Sequence, residues 1–151
     1  MIVLLTAAFL TACSDKVDES DIYTFKGETI TSYLEKSENF TDFAYILSRV
    51  KLSKRSESTI AQLLSARGNY TVFAPTNDAV QHYLDSVYQT TDYDITQIPD
   101  SVADYIARNA IIDCEDLNAY QTTDFNVGTL ERTNMDDRYI TVDFDTINGG
   151  N

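Results

Sequence analysis

The chain is short of the residues that most often perform chemistry or stitch a small fold together. Its 151 residues include no tryptophan, one histidine, two cysteines, two prolines and five glycines. Two cysteines cannot make a disulfide framework, and so few prolines and glycines exclude collagen-like or linker-dominated chains. Cations are scarce as well: 11 Lys and Arg stand against 24 Asp and Glu, a formal charge of 11 − 24 = −13. That excess argues against nucleic acid as a partner, because duplex binding draws on a basic face that neutralises phosphates. Serine nucleophiles lack their usual setting, since no glycine sits in a G-x-S-x-G elbow and a base could come only from His82. That histidine falls on a helix expected to begin near Asp78 and is assigned no role. No zinc-ligand spacing occurs. A calcium loop starting at Asp92 fails because Gln97 stands where the turn glycine belongs and Ala103 where the bidentate acid belongs. Neither a metal nor a cofactor is expected, and among 24 acidic residues no carboxylate pair stands out as a glycosidase would require.

What is present begins with an apolar run over residues 2–10, too short for the ~20 residues of a membrane-spanning helix and suited to the core of a signal peptide. It leads into Leu10-Thr11-Ala12-Cys13, which resembles the lipobox of bacterial lipoproteins. The resemblance implies cleavage after residue 12 and a diacylglyceryl group on Cys13. No Lys or Arg precedes the apolar run, and a secreted protein with an ordinary Cys13, paired with Cys114, is the alternative. Two or three acyl chains would hold the protein stably, at ~0.8 kcal/mol per buried CH₂. The partner implied is then a membrane reached through lipid, and the expected location is the cell envelope at the outer membrane, on either face. Residues 13–26 are acidic and without periodicity, as a solvated tether requires, leaving 27–151 for one domain.

The folded part reads as helices early and strands late, an α+β arrangement. Thr29 can cap a helix carrying Ile30, Tyr33 and Leu34 on one face, and Thr41 or Asp42 can start a second whose stripe is Phe40, Phe43, Ala44, Leu47 and Val50. A short helix over 59–65 would bury Ile60, Leu63 and Leu64 and stop at Gly68-Asn69, residues that tolerate the left-handed conformation. A strand over 70–74 closes at Pro75, and Asn77 or Asp78 can cap a helix bearing Val80, Tyr83, Leu84 and Val87. Pro99 opens another helix that points Val102, Tyr105 and Ile106 inward before a strand at 110–112. Strands over 128–133 and 138–144 flank a turn at 134–137, with Ile140, Val142 and Phe144 alternating against Thr141 and Asp143.

The most informative run is Thr71-Val72-Phe73-Ala74-Pro75-Thr76-Asn77-Asp78-Ala79-Val80. A β-prone segment ends at a proline, and the next three side chains offer oxygens to the free N–H groups of a following helix. The run resembles the first signature of the fasciclin domain, seven consecutive residues (Thr71, Val72, Phe73, Ala74, Pro75, Thr76, Asn77) matching it. The order of the segments on either side resembles that family from about residue 27 to 144. The resemblance implies a fasciclin-like fold, helices packed on a mixed β-sheet wedge, and a noncatalytic adhesion or binding role. Two departures accompany it. Where family members carry a Tyr-His pair, this chain has Arg108-Asn109, and the family's second signature is expected beyond the point where this sequence stops. The ending Asn148-Gly149-Gly150-Asn151 reads as a hairpin turn without its return strand, so the domain is expected to be incomplete, with a partner's strand as one means of completion.

Two surface features could carry binding. Arg49, Lys51, Lys54 and Arg55 place four of eleven cations within seven positions, suited to a polysaccharide, an anionic headgroup or an acidic protein. Cations at a helix end also complement its carbonyl-rich C-terminus, which is an equally physical account of the same cluster. Tyr88 and Tyr93 lie in a polar stretch where rings could stack on sugars.

Overall fold

The computed structural model describes residues 27–115 and 117–143. Cys13, the apolar run, the acidic tether, Phe144 and the turn at 148–151 lie outside the described residues.

Five helices come first to hand: α1 (Ile30–Lys36), α2 (Thr41–Arg49), α3 (Ile60–Ser65), α4 (Asn77–Tyr88) and α5 (Asp100–Asn109). Most begin where the sequence offers a hydroxyl. The Thr29 side chain accepts from Ser32 N–H, Thr76 accepts from Ala79 N–H, and Thr59 with Gln62 forms a reciprocal capping box. α2 is central and packs against α1, α3, α4 and α5, with Phe43, Ile46 and Leu47 fully buried. Leu34, Val50, Ile60, Leu64, Val80, Leu84 and Ile98 complete this core with three alanines and Ile111.

Three expectations about faces and ends are corrected. On α5 Val102 and Ile106 pack partly buried against the core as expected, but the fully buried positions are Ala103 and Ala107, whose small side chains let α5 lie close on α2, and Tyr105 is left exposed. Tyr83 and Val87 of α4 are likewise exposed beside buried Val80 and Leu84. α3 ends at Ala66 in extended conformation, and Gly68 serves clearance: a Cβ there would collide with the Tyr70 ring.

Among the described residues four strands follow the α+β expectation, as two separate antiparallel pairs and not one mixed sheet. β1 (Tyr70–Val72) pairs antiparallel with β2 (Ile111–Asp113), and β3 (Gly128–Thr133) pairs antiparallel with β4 (Tyr139–Val142). The two ladders face each other across a second, smaller cluster of Ile112, Cys114 and Leu130, flanked by Tyr120, Phe125, Ile140 and Val142. The turn between β3 and β4 is tied by Asn134, whose Oδ1 accepts from Asp136 and Arg138 N–H at 3.0 Å each.

The bonds bracketing the first ladder, Phe73 N–H to the Ala110 carbonyl (2.8 Å) and Cys114 N–H to the Asn69 carbonyl (2.7 Å), fix its register. In an antiparallel pair successive residues point their N–H and C=O to opposite edges, so Tyr70 and Val72 direct theirs away from β2. Among the described residues β1 has no strand on that second edge.

Candidate functional site

The signature run is a joint between helices. Thr71 is buried, and its hydroxyl accepts from Tyr120 N–H at 2.8 Å, tying β1 to the segment before β3. β1 ends at Val72, two residues short of the expected strand over 70–74, Pro75 follows in the link to the helix, and Thr76 caps α4. Asn77 acts elsewhere than expected. The capping position of α2 is Phe40, whose side chain can accept no hydrogen bond, and Asn77 Oδ1 accepts from Asp42 N–H (3.1 Å) in the first turn. Its Nδ2 donates to the Glu38 carbonyl (2.8 Å) and to Thr41 Oγ1 (3.0 Å), while its own N–H bonds the Asn39 carbonyl (2.8 Å). One amide therefore caps a helix 35 residues upstream and locks α4 to α2. Burial at this joint pushes the Asp42 carboxyl above its ordinary value.

Phe73, the large apolar residue of the run, is 40% exposed and packs its ring 5.6 Å from Phe125. It lines a groove of about 730 Å³ shared by Tyr33, Phe40, Tyr120 and Phe125, alongside the whole of β1. Val72 and Ala74 also line it, so the groove flanks the strand whose second edge carries the outward backbone groups of Tyr70 and Val72.

The cationic cluster divides. Arg49, Lys51 and Lys54 line a groove of about 530 Å³ between the end of α2 and the start of α5, whereas Arg55 is exposed outside it. Arg108 joins the three, with Asp100 and Asp104 as the groove's acids. Arg49 Nη2 meets Asp100 Oδ1 at 2.7 Å and its Nη1 donates to the Ile98 carbonyl at 3.1 Å. Arg108 Nε meets Asp104 Oδ1 at 2.8 Å, and its Nη2 reaches the carbonyls of Lys51 (2.9 Å) and Leu52 (3.1 Å). Lys51 pairs with Glu57 at 3.0 Å. Arg108 was invisible as a groove residue in the sequence, being 53 positions from the cluster's last cation, Arg55. Its one local signal is Asp104, an i, i+4 partner on the same helix.

The position where Tyr-His was expected is thus occupied by two tethers. Arg108 holds the segment after α2, and Asn109 holds the β3–β4 turn, donating to Asp136 Oδ2 (3.2 Å) and accepting from Asn134 Nδ2 (3.1 Å). Tyr88 and Tyr93 stack on each other at 4.4 Å, so each ring already covers one face of the other. His82 is exposed on α4. Cys114 is buried, its sulfur 3.8 Å from the Thr71 hydroxyl. Among the described residues no group of three His, Cys, Asp or Glu could hold a metal ion, and no helix is long and apolar enough to cross a membrane.

No curated protein and no solved structure matches the chain. The family model of the fasciclin domain matches residues 38–149, from the start of the α1–α2 joint to beyond β4. That span takes in the Asn77 joint, both strand ladders and most of the groove beside β1, and the chain belongs to the fasciclin domain family.

Proposed function

We propose that this chain is a cell-envelope lipoprotein whose fasciclin domain is a noncatalytic binding or adhesion module, held at the outer membrane by acyl chains on Cys13. The observation that carries the reading is the family match over residues 38–149. The geometry supports it in kind: Thr71 and Asn77 of the signature are spent on holding β1, α2 and α4 together, and two concave surfaces, the groove beside β1 and the one beside α5, are left open to a ligand. The rival, a hydrolase acting on glycans, calls for two facing carboxyls, one with a raised pKa. Asp100 and Asp104, the acids of the cationic groove, are each paired with an arginine, and the raised carboxyl of Asp42 lies at the helix joint. A second reading, an accessory subunit completed by a partner's strand, is favoured by one observation: β1 turns the N–H and C=O groups of Tyr70 and Val72 toward an edge with no strand among the described residues.

The test is membrane extraction. Wild-type protein is expected to partition into the detergent phase and Cys13→Ser into the aqueous phase. Retention of the variant in the detergent phase would remove the lipid anchor from the proposal. A stoichiometric partner co-purifying with the detergent-solubilised wild type, and lost on Val72→Pro, would favour the accessory reading.

A further inference from the structure

We infer that the groove between the end of α2 and the start of α5 is a binding site for an acidic polysaccharide, one whose sugars carry carboxylates. This rests on the binding-module reading and names the ligand class for it. The groove gathers Arg49, Lys51, Lys54 and Arg108, four of the eleven cations of a chain whose formal charge is −13. Against them it holds two acids, Asp100 and Asp104, so its lining is net positive in a field that is otherwise negative. The volume of about 530 Å³ lies within the range of sites that take small ligands or a few units of a polymer.

Each arginine keeps a nitrogen that the bonds holding it do not use, Nε of Arg49 and Nη1 of Arg108. Arg49 is held from behind by the Ile98 carbonyl and Arg108 by the carbonyls of Lys51 and Leu52, so neither guanidinium must be ordered when an anion arrives. Asp104 stays on Arg108 and Glu57 on Lys51, but the acid on Arg49 competes weakly. Asp100 is 92% exposed, and exposed pairs of that kind contribute about 0–1 kcal/mol, so a carboxylate on the ligand can take its place on Arg49. A guanidinium fork also suits a carboxylate geometrically. Lys54 is exposed, and no ion pair involves it among the described residues.

The walls discriminate between ligand classes. α2 and α5 satisfy their backbone groups internally, and the nearby carbonyls of Lys51, Leu52 and Ile98 are taken by the arginines, so an acidic peptide finds no strand edge to pair with. A bilayer needs cations on a protruding surface. Here two of the four heads are drawn down between helices by those same carbonyl bonds, which favours a chain that can enter the groove.

The experiment uses the full-length protein in detergent micelles and polygalacturonate as probe, with dextran as the neutral control, titrated calorimetrically at low salt. Binding is expected with polygalacturonate and not with dextran. Lys54→Glu should weaken it at least about fivefold, because one cation at the contact becomes an opposing charge. Lys36→Glu, on α1 outside the groove, makes the same change in net charge, from −13 to −15, and should leave the affinity within about twofold. Equal effects of the two variants, no binding of polygalacturonate, or tighter binding of poly-L-glutamate or of phosphatidylglycerol vesicles would each overturn the inference. Reducing ends are assayed in the same samples: their appearance over time would overturn the noncatalytic reading itself, whereas absent or Lys54-independent binding without turnover removes only this ligand class.

Discussion

The first turn of α2 has free N–H groups and a phenylalanine in the capping position, a combination that would leave the helix start to water. Asn77 supplies the acceptor from another helix and uses its two amide hydrogens on Glu38 and Thr41. Truncation removes a cap, for about 1 kcal/mol, and two further bonds of about 0.5–1.5 kcal/mol each, part of which water recovers because the site is half-exposed. Asn77→Ala is therefore expected to lower stability by about 2 kcal/mol, seen as a lower urea midpoint with unchanged slope. Thr76→Ala, which removes one cap bond, should cost about half as much. Equal midpoints for the two variants would mean that Asn77 is merely another local cap. This residue also marks where sequence reading stopped. That the run 75–78 offers caps follows from side-chain chemistry, but which helix Asn77 serves depends on a contact 35 residues away, and local patterns carry no such information.

At the scale of elements, the segment leaving α4 is held by one carboxylate. Asp85 Oδ1 accepts from Tyr93 N–H at 2.8 Å and from Gln81 Nε2 at 3.0 Å, and Oδ2 accepts from Asp92 N–H at 3.2 Å. The helix ends at Gln89 in the left-handed region, and Asp92 is also at positive φ, so the chain turns back sharply on its own last turn. The Tyr93 N–H bond foremost, with help from Gln81 and Asp92, lowers the Asp85 pKa below the ordinary 3.8. A depressed carboxyl stabilises the fold at pH above its unfolded value and loses that contribution as pH falls through the folded one. Asp85→Asn should thus be less stable than wild type by a constant margin from pH 7 to 5, and the margin should shrink below about pH 4. Urea midpoints at pH 7, 5, 3 and 2 measure it, and a margin independent of pH would remove Asp85 as the cause. Helix starts at Thr29, Thr59 and Pro99 were legible because their chemistry is local, as was the turn at 134–137. The inward face of α5 was legible only in part: Val102 and Ile106 do pack at the margin of the core, but the fully buried positions are Ala103 and Ala107, because α2 lies close, and Tyr105 is exposed. The cationic groove was not, since Arg108 reaches it only through tertiary packing.

For the whole molecule the governing quantity is the imbalance of 24 acids over 11 bases. Six ion pairs join described residues, and each includes a side chain more than 30% exposed, so each contributes little. Mutual repulsion of the remaining carboxylates acts over longer distances and opposes the compact state. Salt weakens both, but a Debye length that falls from about 30 Å at 0.01 M to about 8 Å at 0.15 M removes the long-range repulsion while leaving contact pairs partly intact. The melting temperature at pH 7 is therefore expected to rise by a few degrees between 10 and 150 mM NaCl, about 1 kcal/mol corresponding to several degrees for a domain of this size. The same ionic strength supplied as CaCl₂ separates screening from specific binding. Equal rises follow if the carboxylates act only as a diffuse field, which agrees with the lack of a clustered ligand set among the described residues. A rise with calcium that grows with its concentration at fixed ionic strength would instead require a built site. A fall with NaCl would mean that the six pairs outweigh the net charge, and that the acidic excess costs the fold nothing.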